Sequence, residues 1–198
     1  QHLVMGVNTF SCEEWDATFG KVYKTMIDDG IRSIMAGHIA LPAYSRKLRP
    51  GIKDEEIMPA TLAPEILTGL LRGQLGYNGL ILTDASHMAG MTCSMPRSQQ
   101  VPRAIAAGCD MFLFFNDIEE DFGYMMDGYK NGIISEERLN DALLRILGLK
   151  ASLKLHEKQK NGTLVGSKDA LSVIGCAEHQ ELAAKAADMS ITLVKDTK

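Results

Sequence analysis

The stretch Gly79-Leu-Ile-Leu-Thr-Asp84-Ala-Ser-His-Met88-Ala-Gly90 limits this chain's fold more than any other. Leu80-Ile81-Leu82 is a continuous apolar run, the signature of a strand buried on both faces within a parallel sheet covered by helices. The run stops at a carboxylate, and a small, polar, glycine-bearing loop follows. Parallel α/β folds carry their chemistry at the carboxyl ends of the strands, so Asp84 sits where a catalytic carboxylate belongs. Residue type alone leaves a second reading open, because Asp also favours helix caps and turns.

The segments around this stretch alternate. Ser11-Cys-Glu-Glu14 is a capping box that opens a helix with Trp15, Phe19, Val22, Tyr23, Met26 and Ile27 on one face. Asp28-Asp29-Gly30 stops it, Gly30 supplying a left-handed turn. Ile31 to Ala36 reads as a strand ending at Gly37-His38, and residues 40–59, with Pro42, Pro50, Gly51 and Pro59, read as a long irregular loop. A second helix begins near Thr61, with Pro64 in its first turn and Ile66, Leu67, Leu70 and Leu71 as its apolar stripe. Beyond Asp84 come a short helix around Val101 to Ala107, an apolar run Met111 to Phe115, a helix over 117–132, and a longer helix capped by Ser135. The order strand, helix, strand, helix, strand, helix predicts a parallel α/β sheet built from right-handed crossovers. Three such units are too few to close an eight-stranded barrel of roughly 250 residues. After Leu155 the composition shifts to a linker over 156–167, then a helix over 178–189 leads into Ser190-Ile-Thr-Leu-Val194, a strand-forming end.

Composition excludes several partners. A net charge of −4 gives no basis for binding nucleic acid, and no apolar run approaches the roughly 18 residues needed to span a bilayer. Cys12, Cys93, Cys109 and Cys176 lack metal-ligand spacing, so neither a metal nor another cofactor is expected; they read as free thiols of a reducing, cytoplasmic compartment. The chain opens Gln1-His2, without an initiator Met, so an absent targeting signal carries little weight.

In combination, several segments carry a family resemblance. Gly69-Leu-Leu-Arg72-Gly-Gln-Leu-Gly76-Tyr-Asn-Gly79-Leu-Ile-Leu-Thr-Asp84 resembles the nucleophile region of glycoside hydrolase family 3. The similarity extends through Ala106-Ala-Gly108-Cys-Asp110-Met-Phe-Leu, Ile134-Ser-Glu-Glu-Arg-Leu139, His179-Gln-Glu-Leu-Ala-Ala-Lys-Ala-Ala187 and Ser190-Ile-Thr-Leu-Val194. The resemblance implies the C-terminal part of a (β/α)8 TIM barrel over residues 1–155, a linker over 156–175, and the beginning of an α/β sandwich domain over 176–198. The family's Lys-His-Phe-Pro-Gly motif is absent here.

By resemblance, Asp84 matches the nucleophile. The bacterial β-N-acetylglucosaminidase branch also carries an Asp-x-His dyad whose His is the general acid/base. Gln1-His2 matches its x-His part, with a disordered terminal histidine as the rival reading of His2. Ala85 departs from the second acidic residue of many relatives, and His87 from their Ser. His38, at a predicted strand end, is a candidate to meet substrate or else a satisfied core histidine, and Met88 is either a surface against a sugar face or core. The implied activity is a retaining release of terminal β-linked N-acetylhexosamine, in which a carboxylate attacks the anomeric carbon and an imidazole is acid, then base. The alternatives are a glycoside phosphorylase, a β-glucosidase of the same family, and a non-catalytic carbohydrate-binding protein. A partial barrel exposes strand edges, so these residues alone are expected to be inactive and to associate with themselves or with the rest of the barrel.

Overall fold

A computed structural model describes residues 2–195. The chain divides into two compact units, Gln1–Ser152 and Leu153–Lys198. The first unit opens with β1 (Gly6–Val7), then α1 (Cys12–Trp15), a π-type turn over Asp16–Gly20, and α2 (Lys21–Asp28). The capping box is formed: Ser11 Oγ accepts from the Glu14 N–H at 3.1 Å while Glu14 Oε2 accepts from the Ser11 N–H at 2.9 Å. Gly30, at φ +85°, turns the chain out of α2 into β2 (Ser33–Ala36), which is followed by β3 (Ile39–Ala40).

The expected loop over 40–59 is partly helical. Pro42 occupies the first turn of α3 (Pro42–Leu48), where its missing N–H costs nothing, so the proline begins a helix here. Tyr44 of α3 is buried edge-on against Trp15, ring centroids 5.3 Å apart, and donates to Asp16. A π-type helix, Glu65–Gln74, follows Pro64, and Thr61 lies before it in the tight turn Ala60–Leu62.

Strand β4 (Leu80–Thr83) pairs in parallel with β2, Ile34 opposite Ile81 and Ala36 opposite Thr83; β1 pairs in parallel with β3. Beyond β4 come α4 (Ala89–Thr92), α5 (Arg97–Ala107), α6 (Ile118–Lys130) and α7 (Glu136–Ser152). The run Met111 to Phe115 makes only a single parallel bridge, Leu82 with Met111. The main core lies on one side of β2 and β4, where Ile34, Ala36 and Ile81 meet Leu67, Leu71, Ile105, Cys109 and Ile134. Met35, of opposite parity on β2, is 49% exposed. α5 and α6 approach closely because Gly128 has no side chain; a Cβ there would lie 2.2 Å from Pro102 Cβ.

Asp110 fastens the amino end of β4. Its buried carboxylate accepts from the Ile81 N–H at 2.9 Å, from Arg72 at 2.8 Å and from Arg138 at 2.5 Å.

In the second unit the expected linker carries α8 (Leu155–Lys160) and a tight helical turn, Lys168–Val173. The helix expected over 178–189 is α9 (Ala177–Ser190). The strand expected over Ser190–Val194 does not form in the described part: Ser190 ends α9, and residues 191–195 make no strand pairing. A strand needs a neighbour to accept its backbone bonds, and no strand of this unit is available to it among the described residues.

Candidate active site

Asp84 sits directly past β4, at its carboxyl end. Its N–H donates to the Ala36 carbonyl at 3.0 Å, continuing the parallel ladder by one residue. Its Oδ1 accepts from the Ala85 N–H at 2.7 Å, and the side chain remains half-buried. The cap reading of Asp84 therefore has a real counterpart in this local bond, yet α4 begins only at Ala89 and the N-cap position falls to Met88.

Two buried side chains, one before the loop and one within it, hold the loop after Asp84. His38, which follows β2, is fully buried; its Nε2 lies 3.0 Å from the Ala85 carbonyl and its Nδ1 2.8 Å from Thr61 Oγ1. A carbonyl only accepts, so Nε2 carries the proton and donates. Burial pulls the His38 pKa below the ordinary imidazole value, against the opposing bond to Ala85 and the charge of Asp84. The neutral ring leaves Nδ1 as acceptor for the Thr61 hydroxyl, which also lies 3.1 Å from the Gly37 carbonyl. Both ring nitrogens are committed, so His38 presents no free atom to a sugar. The geometry is that of a histidine whose hydrogen bonds are met within the protein.

The second anchor is Ser86, buried. Its N–H donates to the Leu113 carbonyl at 3.3 Å and its hydroxyl donates to the Phe114 carbonyl. Thr83 Oγ1 accepts from the Leu113 N–H at 2.8 Å, tying the same two segments one step earlier. Met88 is buried as well. A thioether this enclosed is filling space in the core.

His2 is exposed, and its carbonyl accepts from the Ala89 N–H at 3.2 Å. The start of the chain thus runs beside the loop that follows Asp84. Gln1, the other residue of the x-His match, lies outside the described residues. His87 is exposed on that loop. A cavity of about 350 Å³ reaches Asp84; beyond Asp84 and Asn8 its lining is apolar, with Trp15, Ile34 and Leu67 among it. Among the described residues no three His, Cys, Asp or Glu side chains converge as a metal would require, and no helix is long and apolar enough to cross a membrane.

Thr61, Arg97 and Asp121 carry no local motif in the sequence; they surround the Asp84 loop from positions up to 37 residues away in the chain.

A carboxylate held past a parallel strand that helices cover defines an α/β protein with its candidate chemistry at a strand end. The description "Glycosyl hydrolase family 3 N terminal domain" matches residues 1–149. The chain belongs to glycosyl hydrolase family 3, a family of glycosidases. It is 52% identical over 196 residues to a "Beta-N-acetylglucosaminidase/beta-glucosidase" of Cellulomonas fimi, covering 99% of this chain and 34% of that protein. It is 30% identical over 173 residues to "Beta-hexosaminidase A" of Pseudoalteromonas piscicida, covering 82% of this chain and 28% of the relative. Among solved structures, "Beta-glucoside phosphorylase BglX" superposes with a TM-score of 0.93 at 44% identity, covering 100% of this chain and 35% of that one. The chain thus spans about a third of the length of these relatives.

Proposed function

We propose that the protein releases terminal β-linked N-acetylhexosamine by double displacement, with Asp84 as nucleophile and His2 as acid and base. Asp84 would attack the anomeric carbon to form a glycosyl ester as His2 gives its proton to the departing glycosidic oxygen. Water, losing a proton to His2, would then open the ester and restore the carboxylate. The observation that carries this reading is the half-buried Asp84 carboxylate at the carboxyl end of β4, on a loop fixed through Ala85 and Ser86. The glucosaminidase and hexosaminidase names of the relatives support the sugar class. Residues 1–155 are read as the later part of a (β/α)8 barrel, with residues 156–175 as linker and 176–198 as the start of an α/β sandwich domain.

A second reading keeps Asp84 and His2 and changes the acceptor to phosphate, giving a sugar 1-phosphate. Likeness to the phosphorylase structure favours it, as does an imidazole in place of a carboxylate base, since it brings no negative charge to repel the phosphate anion. In the intact protein, a 2-fluorosugar is expected to leave a glycosyl ester on Asp84, and Asp84→Ala to abolish turnover. A label on another residue, or normal turnover by Asp84→Ala, contradicts the proposal. Release of free sugar at a rate independent of phosphate supports hydrolysis, whereas sugar 1-phosphate formed in proportion to phosphate supports the second reading.

A further inference from the structure

We propose that Arg97 and Asp121 form a positioning pair for Asp84, acting through Ser86; the inference rests on the reading of Asp84 as nucleophile. Arg97 stands at the start of α5 and Asp121 in the first turn of α6. Arg97 meets the Asp121 carboxylate with two parallel bonds, Nε to Oδ1 at 2.7 Å and Nη2 to Oδ2 at 2.5 Å. Their side chains are only 16% and 6% exposed, and the guanidinium lies 5.7 Å from the Phe112 ring centroid. An exposed ion pair would hold little, but a bidentate and largely desolvated one fixes both partners.

The pair reaches the loop by two routes. Arg97 Nη2 also donates to Ser86 Oγ at 3.1 Å, two residues past Asp84. Because the Ser86 hydroxyl spends its proton on the Phe114 carbonyl, its lone pair is what Arg97 engages, and the rotor is set from both sides. Asp121 Oδ2 accepts from the Asn116 N–H at 2.9 Å, fastening the far end of the same segment. Between these two ties, Phe114 adopts φ +55°, a left-handed backbone that a bulky residue avoids. Such a conformation persists where its surroundings over-determine it. Burial works to raise the Asp121 pKa, but the bonds from Arg97 and Asn116 and the Arg97 charge outweigh it and hold the group below its ordinary value.

Neither residue forms a hydrogen bond or ion pair with Asp84, so the role is placement. A planar guanidinium serves Asp121 and Ser86 at once; a lysine offers a point charge that cannot keep the parallel pair and the serine bond together. A shift of the loop by about 1 Å is enough to cost on the order of 100-fold in rate.

The test uses the intact protein with nitrophenyl β-N-acetylglucosaminide and β-glucoside, and 2-fluorosugar labelling mapped by mass spectrometry. Arg97→Lys, Asp121→Asn and Ser86→Ala are each expected to lower kcat by about 10- to 100-fold with KM nearly unchanged, and to slow labelling of Asp84 in parallel. The double variant Ser86→Ala with Arg97→Lys is expected to lose less than the product of the two single losses, since both remove the Arg97–Ser86 bond. If Arg97→Lys fails to fold, Asp121→Asn decides, because it weakens the ion pair and leaves Ser86 with both of its partners. Wild-type kcat in folded variants, or losses that multiply in the double variant, overturns the pair's role while Asp84 stays labelled. A wild-type label mapped to another residue removes the nucleophile reading and this proposal with it.

Discussion

His38→Ala separates a histidine that holds the Asp84 loop from one that meets sugar. The substitution removes the donor to the Ala85 carbonyl and the acceptor of the Thr61 hydroxyl. Thr61 can turn to the Gly37 carbonyl 3.1 Å away, whereas Ala85 keeps no partner on that side. A carbonyl left unpaired costs about 1–3 kcal/mol when buried, and the half-buried Ala85 carbonyl falls toward the lower end of that range. A void of roughly 50 Å³ where the ring stood adds about 1 kcal/mol at ~24 cal/mol per Å³. Together these lower the opening free energy of the loop by about 2–4 kcal/mol, roughly a 30- to 700-fold rise in amide exchange at the Asp84 and Ser86 N–H groups. Hydrogen exchange followed by mass spectrometry on the intact protein measures it, alongside a fall in kcat. His38→Gln, whose side-chain N–H can reach the same carbonyl, is expected to recover most of the loss, and His38→Asn little of it. Unchanged exchange in His38→Ala with a rise in KM alone would refute the reasoning and return His38 to the substrate-contact reading.

Three further outcomes follow from the same contacts. Asp110→Asn leaves Arg72 and Arg138 without their buried carboxylate, and is expected to cost about 3–5 kcal/mol; an unchanged urea midpoint contradicts this. Burial holds His38 below the ordinary imidazole value, so the unfolded chain takes up that proton first. Its contribution to stability is complete above about pH 6.5 and is lost as pH falls through the lower folded value. Asp121, held below the ordinary aspartate value, adds a second loss below about pH 3.9. Stability of the wild-type protein is therefore expected to decline below pH 6.5, with the first step absent in His38→Gln; a flat profile down to pH 4 opposes it. The isolated 198-residue chain is expected to self-associate, since Val7 and Met35 on its strands are 52% and 49% exposed; a monomer in sedimentation contradicts that.

Local rules carried the sequence far where the structure obeys them locally. The Ser11 capping box, the stop at Gly30, the buried strand before Asp84 and the Ser135 cap on α7 each need only neighbours in the chain. Pro42 shows how one signal serves two structures, since a proline punctuates a loop and also opens a helix. The 191–195 segment has strand composition, but composition supplies no pairing partner. The candidate site divides in the same way. Asp84 was visible as the carboxylate ending an apolar run. Arg97, Asp121 and Thr61 were not, because their roles come from contacts 23 or 24 residues apart that only the packing of α5, α6 and the Thr61 turn creates. Burial, which no spacing reveals, is what bears on the two readings of His38 and of Met88.

Everything proposed for this site depends on Asp84 as the nucleophile. Incubating the intact protein with a 2-fluorosugar and mapping the adduct by peptide mass spectrometry tests it most directly. A single glycosyl ester on Asp84, absent from Asp84→Ala, is the predicted result. An ester on any other residue, or turnover that continues in Asp84→Ala, would contradict it.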